Sequence, residues 1–347
     1  LRMSRGLGDV YKRQVDLSRF TDTTRHLTNS GIPTQGIAFY HQSTLDLLQG
    51  LSCSVGLRYD YEHARCDFSK VQQPLNGNGE TKSLEQFNRS LHFGQFTPRF
   101  SMQYLSSHNQ LFYASVSKGY KAGGFNVSFL NNDDYLYSPE YNWNYEIGTK
   151  LSFLNNRLSA DLSLFYIDWR NQQITNTIPT VGNVIRNAGR SRNKGIEASF
   201  QARPTKSWVM YMNYGYTDAR FVHYQKEERG ILKDYGGNYL PMVPRHTFSL
   251  TTGYSFYDIC SWIDRLTLNA GVSVTGPIYW YEDNQAKQSP YALVNLRISI
   301  NKGCFTWEAW SKNLTNTDYL SYYFVTSKAY AQKGKPITLG TSVSISL

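Results

Sequence analysis

Aromatic and positively charged side chains crowd the segments that connect the regular parts of this sequence. Binding sites favour such residues, because aromatic rings bury large apolar areas and guanidinium groups make charge-assisted hydrogen bonds. The candidate ligand-binding residues are Lys118, Lys121, Arg186, Arg190, Arg192, Tyr279, Trp280, Tyr281, Tyr319, Tyr322 and Tyr323. Their chemistry would be the non-covalent capture of a ligand. The aromatic members could instead form a girdle at a membrane interface, which is the simpler interpretation of rings with one wet and one apolar side.

Motifs for covalent catalysis are missing from the sequence. No G-x-S-x-G, H-E-x-x-H or P-loop pattern occurs. The glycines from Gly119 to Gly124 are too closely spaced for a phosphate loop and lack the following Lys-Ser/Thr. The four cysteines include no C-x-x-C pair and no histidine partner at metal-ligand spacing. We therefore expect no catalytic residue, no metal and no cofactor, in a protein that is not an enzyme.

The excess of positive charge does not point to nucleic acid. The chain of 347 residues carries 36 Lys and Arg against 26 Asp and Glu, a formal net charge of +10. These cations are scattered, without the dense run that a nucleic-acid-binding surface needs. A basic lumen or loop surface that attracts anionic ligands fits the charge equally well, as does a surface charge without any partner.

Regular alternation of polar and apolar residues predicts the elements that position these side chains. Apolar residues take the odd positions of 145–153 and the even positions of 158–166. Because side chains on a strand point alternately to its two faces, both stretches are strands with one apolar face. Asn155 and Asn156 tolerate the positive φ of a two-residue turn, so we predict a hairpin. Arms of about a dozen residues suit tilted membrane-crossing strands.

Period-two patterning continues along most of the chain, and its connections alternate between short turns and long loops. Short turns at one rim and long loops at the other are typical of outer-membrane barrels. Residues 63–91, which contain Pro74 and an Asn-Gly-Asn-Gly cluster at 76–79, are predicted to be one long loop. A mean hydropathy of -0.49 fits strands with a single apolar face.

The polar faces of the predicted strands carry charges of both signs. On a lipid-facing surface each charge would cost about 2–4 kcal/mol near the midplane of the membrane, so we assign these side chains to a lumen. The predicted lumen-facing residues are Arg58, Asp60, Glu62, Arg99, Glu146, Lys150, Asp161, Glu197, Arg203, Arg297, Glu308 and Lys312. The simplest role for any one of them is a solvated wall.

Five longer stretches, taken in their order along the chain, form a pattern that can be compared with known protein families. They are SVSKGYKAGGFN at 115–126, YEIG at 145–148, RNAG at 186–189, KGIEA at 194–198 and WSKNLTNTDY at 310–319. Together they resemble barrel segments of TonB-dependent outer-membrane receptors, over residues 37–347. The Lys194-Gly195 pair is predicted to bend the backbone where a long loop becomes a strand.

The resemblance implies an all-β fold, a transmembrane antiparallel up-and-down β-barrel. The chain would supply about 13 to 14 strands of a 22-stranded barrel. Residues 15–347 would form the C-terminal part of the barrel domain. Residues 1–14 match neither the alternation nor the composition of the rest, so we predict a non-native leader. The plug domain of this family, which fills the barrel, and its TonB-contacting segment would lie outside the chain.

The resemblance also implies a function. It predicts an outer-membrane receptor or transporter fragment for TonB-energised uptake of a scarce ligand, with ferric siderophores as the commonest cargo. The partners would be outer-membrane lipid, the receptor's own plug domain, the TonB complex and a small-molecule cargo, without nucleic acid. The long loops would be extracellular and the C-terminus periplasmic in a Gram-negative bacterium. The alternative is a passive porin-like or structural barrel, and an enzyme that hides its residues in a barrel is a weaker one.

Overall fold

The computed structural model describes residues 11–16, 24–74, 80–129, 131–178, 181–187, 189–228, 231–325 and 328–346. This part of the chain is built almost entirely of β-strands. The first thirteen are β1 (Tyr11–Asp16), β2 (Thr24–Gly31), β3 (Thr34–Leu48), β4 (Leu51–Pro74), β5 (Lys82–Leu105), β6 (Leu111–Lys121), β7 (Gly124–Phe125), β8 (Leu136–Tyr137), β9 (Glu140–Phe153), β10 (Leu158–Arg170), β11 (Gln173–Ile178), β12 (Gly182–Asn187) and β13 (Arg190–Ala202). The others are β14 (Trp208–His223), β15 (Gln225–Glu228), β16 (Ile231–Asp234), β17 (His246–Cys260), β18 (Ile263–Gly276), β19 (Ile278–Tyr279), β20 (Lys287–Gln288), β21 (Tyr291–Lys302), β22 (Phe305–Lys312), β23 (Leu320–Val325), β24 (Ala329–Lys333) and β25 (Thr338–Ile345).

Fifteen of these strands form one antiparallel sheet in the order β1-β2-β4-β5-β6-β9-β10-β13-β14-β17-β18-β21-β22-β25, with β3 beside β4. Strands β2 and β3 pair with successive halves of β4 and are separated at Ile32 and Pro33. Proline has no N–H for the ladder, which explains the interruption there. The remaining strands form two-stranded sheets in the long connections. Among the described residues no helix is long and apolar enough to cross a membrane.

Strand register sorts the side chains of the large sheet onto two faces. Directly opposed residues share a face, so Ala114, Ile147, Leu164, Ile196 and Tyr216 form one lateral row across five strands. This side of the sheet is called the apolar face. One residue further along each strand, the row consists of Ser115, Glu146, Phe165, Gly195 and Thr217. That opposite side is called the polar face.

The apolar face is open to its surroundings. Ile147 is 56% exposed and Val343, at the far side of the sheet, is 67% exposed. Leu162 and Leu296, between them, are also exposed. A continuous apolar surface of this extent marks contact with a membrane or another protein, because water disfavours it.

Two expectations about connections need correction. The hairpin at Asn155 and Asn156 closes with a four-residue turn, not two, since Phe153 pairs with Leu158. Leu154, Asn155 and Asn156 all have positive φ. The additional left-handed residue lengthens the turn while the arms keep the predicted faces.

Residues 63–91 are not a loop. Strands β4 and β5 each run for 24 residues and stay paired through most of this region, with Phe68 stacked on Phe87 at 4.8 Å. Ala64, Cys66 and Phe68 are buried on the polar-face side, so period two continues with the apolar positions exchanged. That exchange hides the strand pattern from a search for one constant apolar face. The Asn-Gly-Asn-Gly cluster lies outside the described residues.

The segment predicted to be a leader enters the sheet at its edge. Strand β1 pairs with β2, with Tyr11 opposite Gly31 and Asp16 opposite His26. Residues 1–10 lie outside the described part of the chain. Whether residues 1–14 belong to the native protein stays a prediction.

The two faces give a direct test of membrane placement. Leu162→Lys puts a charge on the apolar face, whereas Ser163→Lys puts it beside Glu197 on the polar face. If the apolar face meets lipid, Leu162→Lys should cost about 2–4 kcal/mol and reduce the folded, membrane-inserted fraction sharply. The measurement is the heat-modifiable band of each variant in outer-membrane fractions. Equal loss in both variants would show that the assignment of the faces is wrong.

Candidate functional site

Three long connections are fastened to one another beyond the ends of the strands. They are residues 224–245, 277–290 and 313–337. Asn284 donates to the carbonyl of Tyr239 at 3.0 Å and accepts its N–H at 2.7 Å, which joins the first two. Gln288 accepts the N–H of Leu320 at 2.8 Å, which joins the last two. The three connections therefore act as one surface, which we call the loop rim.

Four aromatic side chains meet on the loop rim. Trp280 is buried and lies 6.4 Å from Tyr322 and 6.5 Å from Tyr323, measured between ring centroids. Tyr281 lies 6.2 Å from Tyr323 and accepts the N–H of Val325 at 2.6 Å. Tyr322 is 42% exposed and presents its ring outwards. We call Trp280, Tyr281, Tyr322 and Tyr323 the aromatic cluster.

The other two predicted aromatics pair elsewhere. Tyr319 stacks on Tyr291 at 4.4 Å, and Tyr279 stacks on Tyr239 at 5.3 Å. Two guanidinium groups also lie against the ring of Tyr239. The guanidinium carbon of Arg220 is 3.9 Å from the ring centroid, and that of Arg245 is 4.7 Å from it. Stacked arginines and tyrosines are common in sites that recognise anionic or aromatic groups.

Sequence reasoning missed this stack. Arg220 lies in β14, whereas Tyr239 and Arg245 lie in the connection that follows it, and no local pattern brings the three side chains together. The available signal was the position of Tyr239 in a Gly-rich connection, just after Gly236 and Gly237.

The predicted cations do not form one site. Lys121 lies 3.8 Å from Glu140, and Arg186 pairs with buried Asp134 at 2.7 Å. Arg190 pairs with Asp168 on the apolar-face side of the sheet. Lys118 on β6 and Arg192 on β13 also lie on that side of the sheet. In the sequence they are far from the residues of the aromatic cluster and from each other. Their assignment to ligand binding stays a prediction.

Connections 122–139 and 171–189 form a second unit, which is held by buried Asn126. Its side chain donates to the carbonyls of Asp134 and Ile185, both at 2.8 Å, and accepts the N–H of Ile185 at 2.9 Å. Gln173 adds a bond to the carbonyl of Ala122 at 2.7 Å. Asp134 takes part in both contacts, since its carbonyl accepts from Asn126 and its carboxylate pairs with Arg186.

The Gly123-Gly124 pair allows Tyr137 to approach this unit closely. A side chain at Gly123 would meet the carbonyl oxygen of Tyr137, and one at Gly124 would meet its ring. Burial raises the pKa of Tyr137 above its ordinary value.

The predicted lumen-facing residues share the polar face. Arg58 pairs with Asp60 at 2.6 Å, and Arg297 lies 3.5 Å from Glu308. Arg203 comes directly after the last residue of β13. The set contains as many cations as carboxylates, so this wall carries no net basic charge. The register places these residues on one face, and the assignment of that face to a lumen stays a prediction.

Gly195 has a different role from the predicted one. It lies inside β13 in unbroken register, opposite Phe165 and Thr217, so the backbone does not bend there. A Cβ at this position would clash with the carbonyl oxygen of Tyr216 and would lie 2.5 Å from Cζ of Phe165. The glycine makes room for a cross-strand aromatic ring, as Gly148 does for Tyr113.

The described residues contain no group of three or more His, Cys, Asp and Glu side chains that could hold a metal ion. The candidate site on the linked loops combines the aromatic cluster with the stack of Arg220, Arg245 and Tyr239. This arrangement can bind a ligand by stacking and hydrogen bonding.

Comparisons with known proteins agree with the sheet topology. A family model described as TonB dependent receptor-like, beta-barrel matches residues 3–316. The pesticin receptor of Yersinia pestis is 24% identical over 337 residues, covering 93% of this chain and 46% of the receptor. A probable TonB-dependent siderophore receptor, PiuA of Acinetobacter baumannii, is 26% identical over 241 residues, covering 65% of this chain and 30% of that protein.

A solved structure shows the same fold. The crystal structure of the ferric yersiniabactin uptake receptor FyuA from Yersinia pestis matches with a TM-score of 0.73 and 21% sequence identity. The match covers 93% of this chain and 47% of that structure. The chain thus spans about half the length of the pesticin receptor and of the FyuA structure.

Replacing Asn126 tests whether it joins the two connections. Asn126→Ala removes three hydrogen bonds from buried backbone groups, so we expect a local loss of about 1–3 kcal/mol. Hydrogen exchange at the amides of Ile185 and its neighbours should become faster. Asp133→Ala, at an exposed position of the same connection, is the control and should leave exchange unchanged. Unchanged exchange in Asn126→Ala would mean that other contacts suffice.

Proposed function

The chain belongs to the TonB-dependent receptor family through its β-barrel domain, and we propose that it is part of an outer-membrane receptor that imports a ferric siderophore. The aromatic cluster on the linked loop rim is the observation that carries the proposal. A bulky ligand needs a rigid contact surface, and these rings are held by loops that are bonded to one another. Membership of a family of receptors, not enzymes, agrees with binding as the primary activity.

The two faces of the sheet support a placement in the membrane. The exposed apolar face would contact lipid, and the polar face would line the passage. The long connections would then lie at the extracellular rim and the short turns at the periplasmic rim. The aromatic cluster would stand at the entrance, above the wall that contains Glu146 and Arg297.

The capture of an anionic iron chelate would depend on the rim more than on the wall. The predicted wall residues include equal numbers of cations and carboxylates, whereas Arg220 and Arg245 both lie against the ring of Tyr239 at the rim. Arginine offers several donors in a fixed plane, which suits the oxygen atoms of an iron-chelating ligand. The names of the relatives support this cargo class, since PiuA is a probable siderophore receptor and FyuA a ferric yersiniabactin uptake receptor.

The remaining partners follow from the proposed function. A plug domain supplied by the protein would occupy the passage, and the TonB complex would provide the energy for import. The carboxylates of Asp60, Glu146 and Glu308 are hydrogen-bonded within the sheet, so they do not depend on the plug for a partner. A wall of mixed charge of this kind suits contact with a polar plug. A passive porin is disfavoured, because the relatives are receptors.

A transport assay tests the proposed function. Cells that carry the intact gene should accumulate radiolabelled iron from a ferric siderophore, and cells without the gene should not. Accumulation should stop when TonB is deleted, because the import needs energy. Uptake that persists without TonB would support a passive pore instead.

A single ring tests the role of the aromatic cluster. Tyr322→Ala removes an exposed ring, and the loss of an aromatic anchor typically costs about 1–3 kcal/mol of binding free energy. We expect the dissociation constant of the ferric siderophore to rise by about 5- to 150-fold. Tyr257→Ala is the matched control, because Tyr257 is 53% exposed at the short-turn end of β17. Equal affinity in both variants would place the cargo elsewhere.

A further inference from the structure

Two histidines face each other across β4 and β5. His63 and His92 are directly opposed in the register, and their ring centroids lie 4.6 Å apart with 20° between the ring planes. Directly opposed residues share a face, so both imidazoles project from the same side of the sheet. We call His63 and His92 the histidine pair. The two residues are far apart in the sequence, so no His-x-x-His spacing reveals them.

The histidine pair lies on the apolar-face side of the sheet, just beyond its apolar part. Leu57, Tyr59, Tyr61 and His63 are alternate residues of β4 and therefore share this side. His92 is exposed and His63 is half-buried, so a small solute can reach both rings.

A tyrosine orients one ring of the pair. The hydroxyl of Tyr61 lies 2.9 Å from Nδ1 of His92. With its proton on Nδ1, His92 donates to the oxygen of Tyr61 and Nε2 keeps a free lone pair. A histidine that ligates a metal through one nitrogen almost always donates its other ring N–H to an oxygen in this way.

Two neighbouring imidazoles suit a transition-metal ion. Neutral imidazole is a good ligand for copper, nickel and zinc. Two nitrogen ligands of one ion lie about 3 Å apart, because each metal–nitrogen bond is about 2.0–2.1 Å. Nearly parallel rings with centroids 4.6 Å apart reach this separation when they tilt towards each other. Water would complete the coordination shell, since the described residues place no third His, Cys, Asp or Glu in a metal-binding group.

The groups around the histidine pair do not oppose a cation. Arg65 is the next residue of β4 on the same side, and its guanidinium lies 3.1 Å from the carboxylate of Asp67. This ion pair offsets the positive charge of Arg65. Gln35, which is opposite His63 on β3, carries no charge.

The histidine pair lies where β5 has few partners. Strand β5 pairs with β6 only from Arg99 to Leu105, so among the described residues its segment 82–98 is paired in the large sheet with β4 alone. A link between His63 and His92 would fasten this segment at a point within it. The backbone hydrogen bonds beyond the pair would then open less often.

We infer that the histidine pair binds one divalent transition-metal ion, which fastens β5 to β4 where the two strands leave the apolar part of the sheet. Cu²⁺ should bind most tightly, because it ranks highest among these ions for nitrogen ligands. The inference goes beyond the proposed import, since neither the aromatic cluster nor the polar face takes part.

Binding can be measured on metal-free, full-length protein in detergent, with Cu²⁺ alone as the probe. Equilibrium dialysis should show one equivalent of Cu²⁺ less on His63→Gln/His92→Gln than on the unchanged protein. His41→Gln/His108→Gln is the matched control, because both histidines are exposed and are bonded only to serines among the described residues. This control should keep the equivalent that the histidine pair binds.

Tyr61→Phe tests the orienting contact. The variant keeps the ring and loses the hydroxyl, so His92 loses the partner of Nδ1. We expect the dissociation constant for Cu²⁺ to rise by about tenfold. The electron paramagnetic resonance spectrum of bound Cu²⁺ should show two nitrogen ligands in the unchanged protein.

Hydrogen exchange tests the fastening of the strands. Addition of Cu²⁺ should slow exchange at residues 64–70 and 85–91 in the unchanged protein, but not in His63→Gln/His92→Gln. Equal Cu²⁺ binding by these two proteins, or equal loss in both double variants, would overturn the metal site. Binding without slower exchange would overturn the fastening role. Binding of a ferric siderophore should be unchanged in His63→Gln/His92→Gln, so failure of the metal site is distinguishable from failure of the proposed function.

Discussion

Backbone hydrogen bonding between antiparallel neighbours is the constraint on which the rest of this structure depends. In lipid no water is available to the backbone, so each strand has to satisfy its N–H and C=O groups on its neighbours. In the described part of the chain, each strand from β5 to β25 along the large sheet pairs with the next, with register shifts at Arg190/Ser191 and Tyr257/Cys260. Since a shift by one residue would exchange the faces, the ladder also fixes which side chains lie on the apolar face and which lie on the polar face.

The same ladder places the functional groups. Loops beyond the strand ends begin at positions fixed by register, and their own hydrogen bonds then join neighbouring connections. Asn126 joins one pair of connections, and Asn284 joins another. Each uses an amide that donates and accepts at once, which suits the pairing of irregular backbone segments. Aromatic rings on the loop rim thus have a rigid base without regular structure of their own.

The sequence predicted the parts that follow from period two. Leu162 and Ser163 lie on opposite faces as expected, because alternation is a property of each strand alone. The extension of β4 and β5 was missed because Cys66 and Phe68 are apolar on the face that is polar elsewhere. The stack of Arg220, Arg245 and Tyr239 could not be predicted, because it depends on how the connection 224–245 folds back against β14. Gly195 was assigned a bend because its cross-strand partner Phe165 was unknown.

The distribution of charge shows why the net charge of +10 is a poor guide to the ligand. The predicted wall residues are balanced, so their cations stabilise the carboxylates beside them. On the apolar-face side near the long connections, by contrast, cations outnumber carboxylates, with Lys118, Arg170, Arg190, Arg192, Lys194 and Arg220 against Asp168 and Asp218. A whole-chain sum mixes these surfaces, although the sheet separates them. For a chain with two faces, charge has to be counted for each face before it indicates a partner.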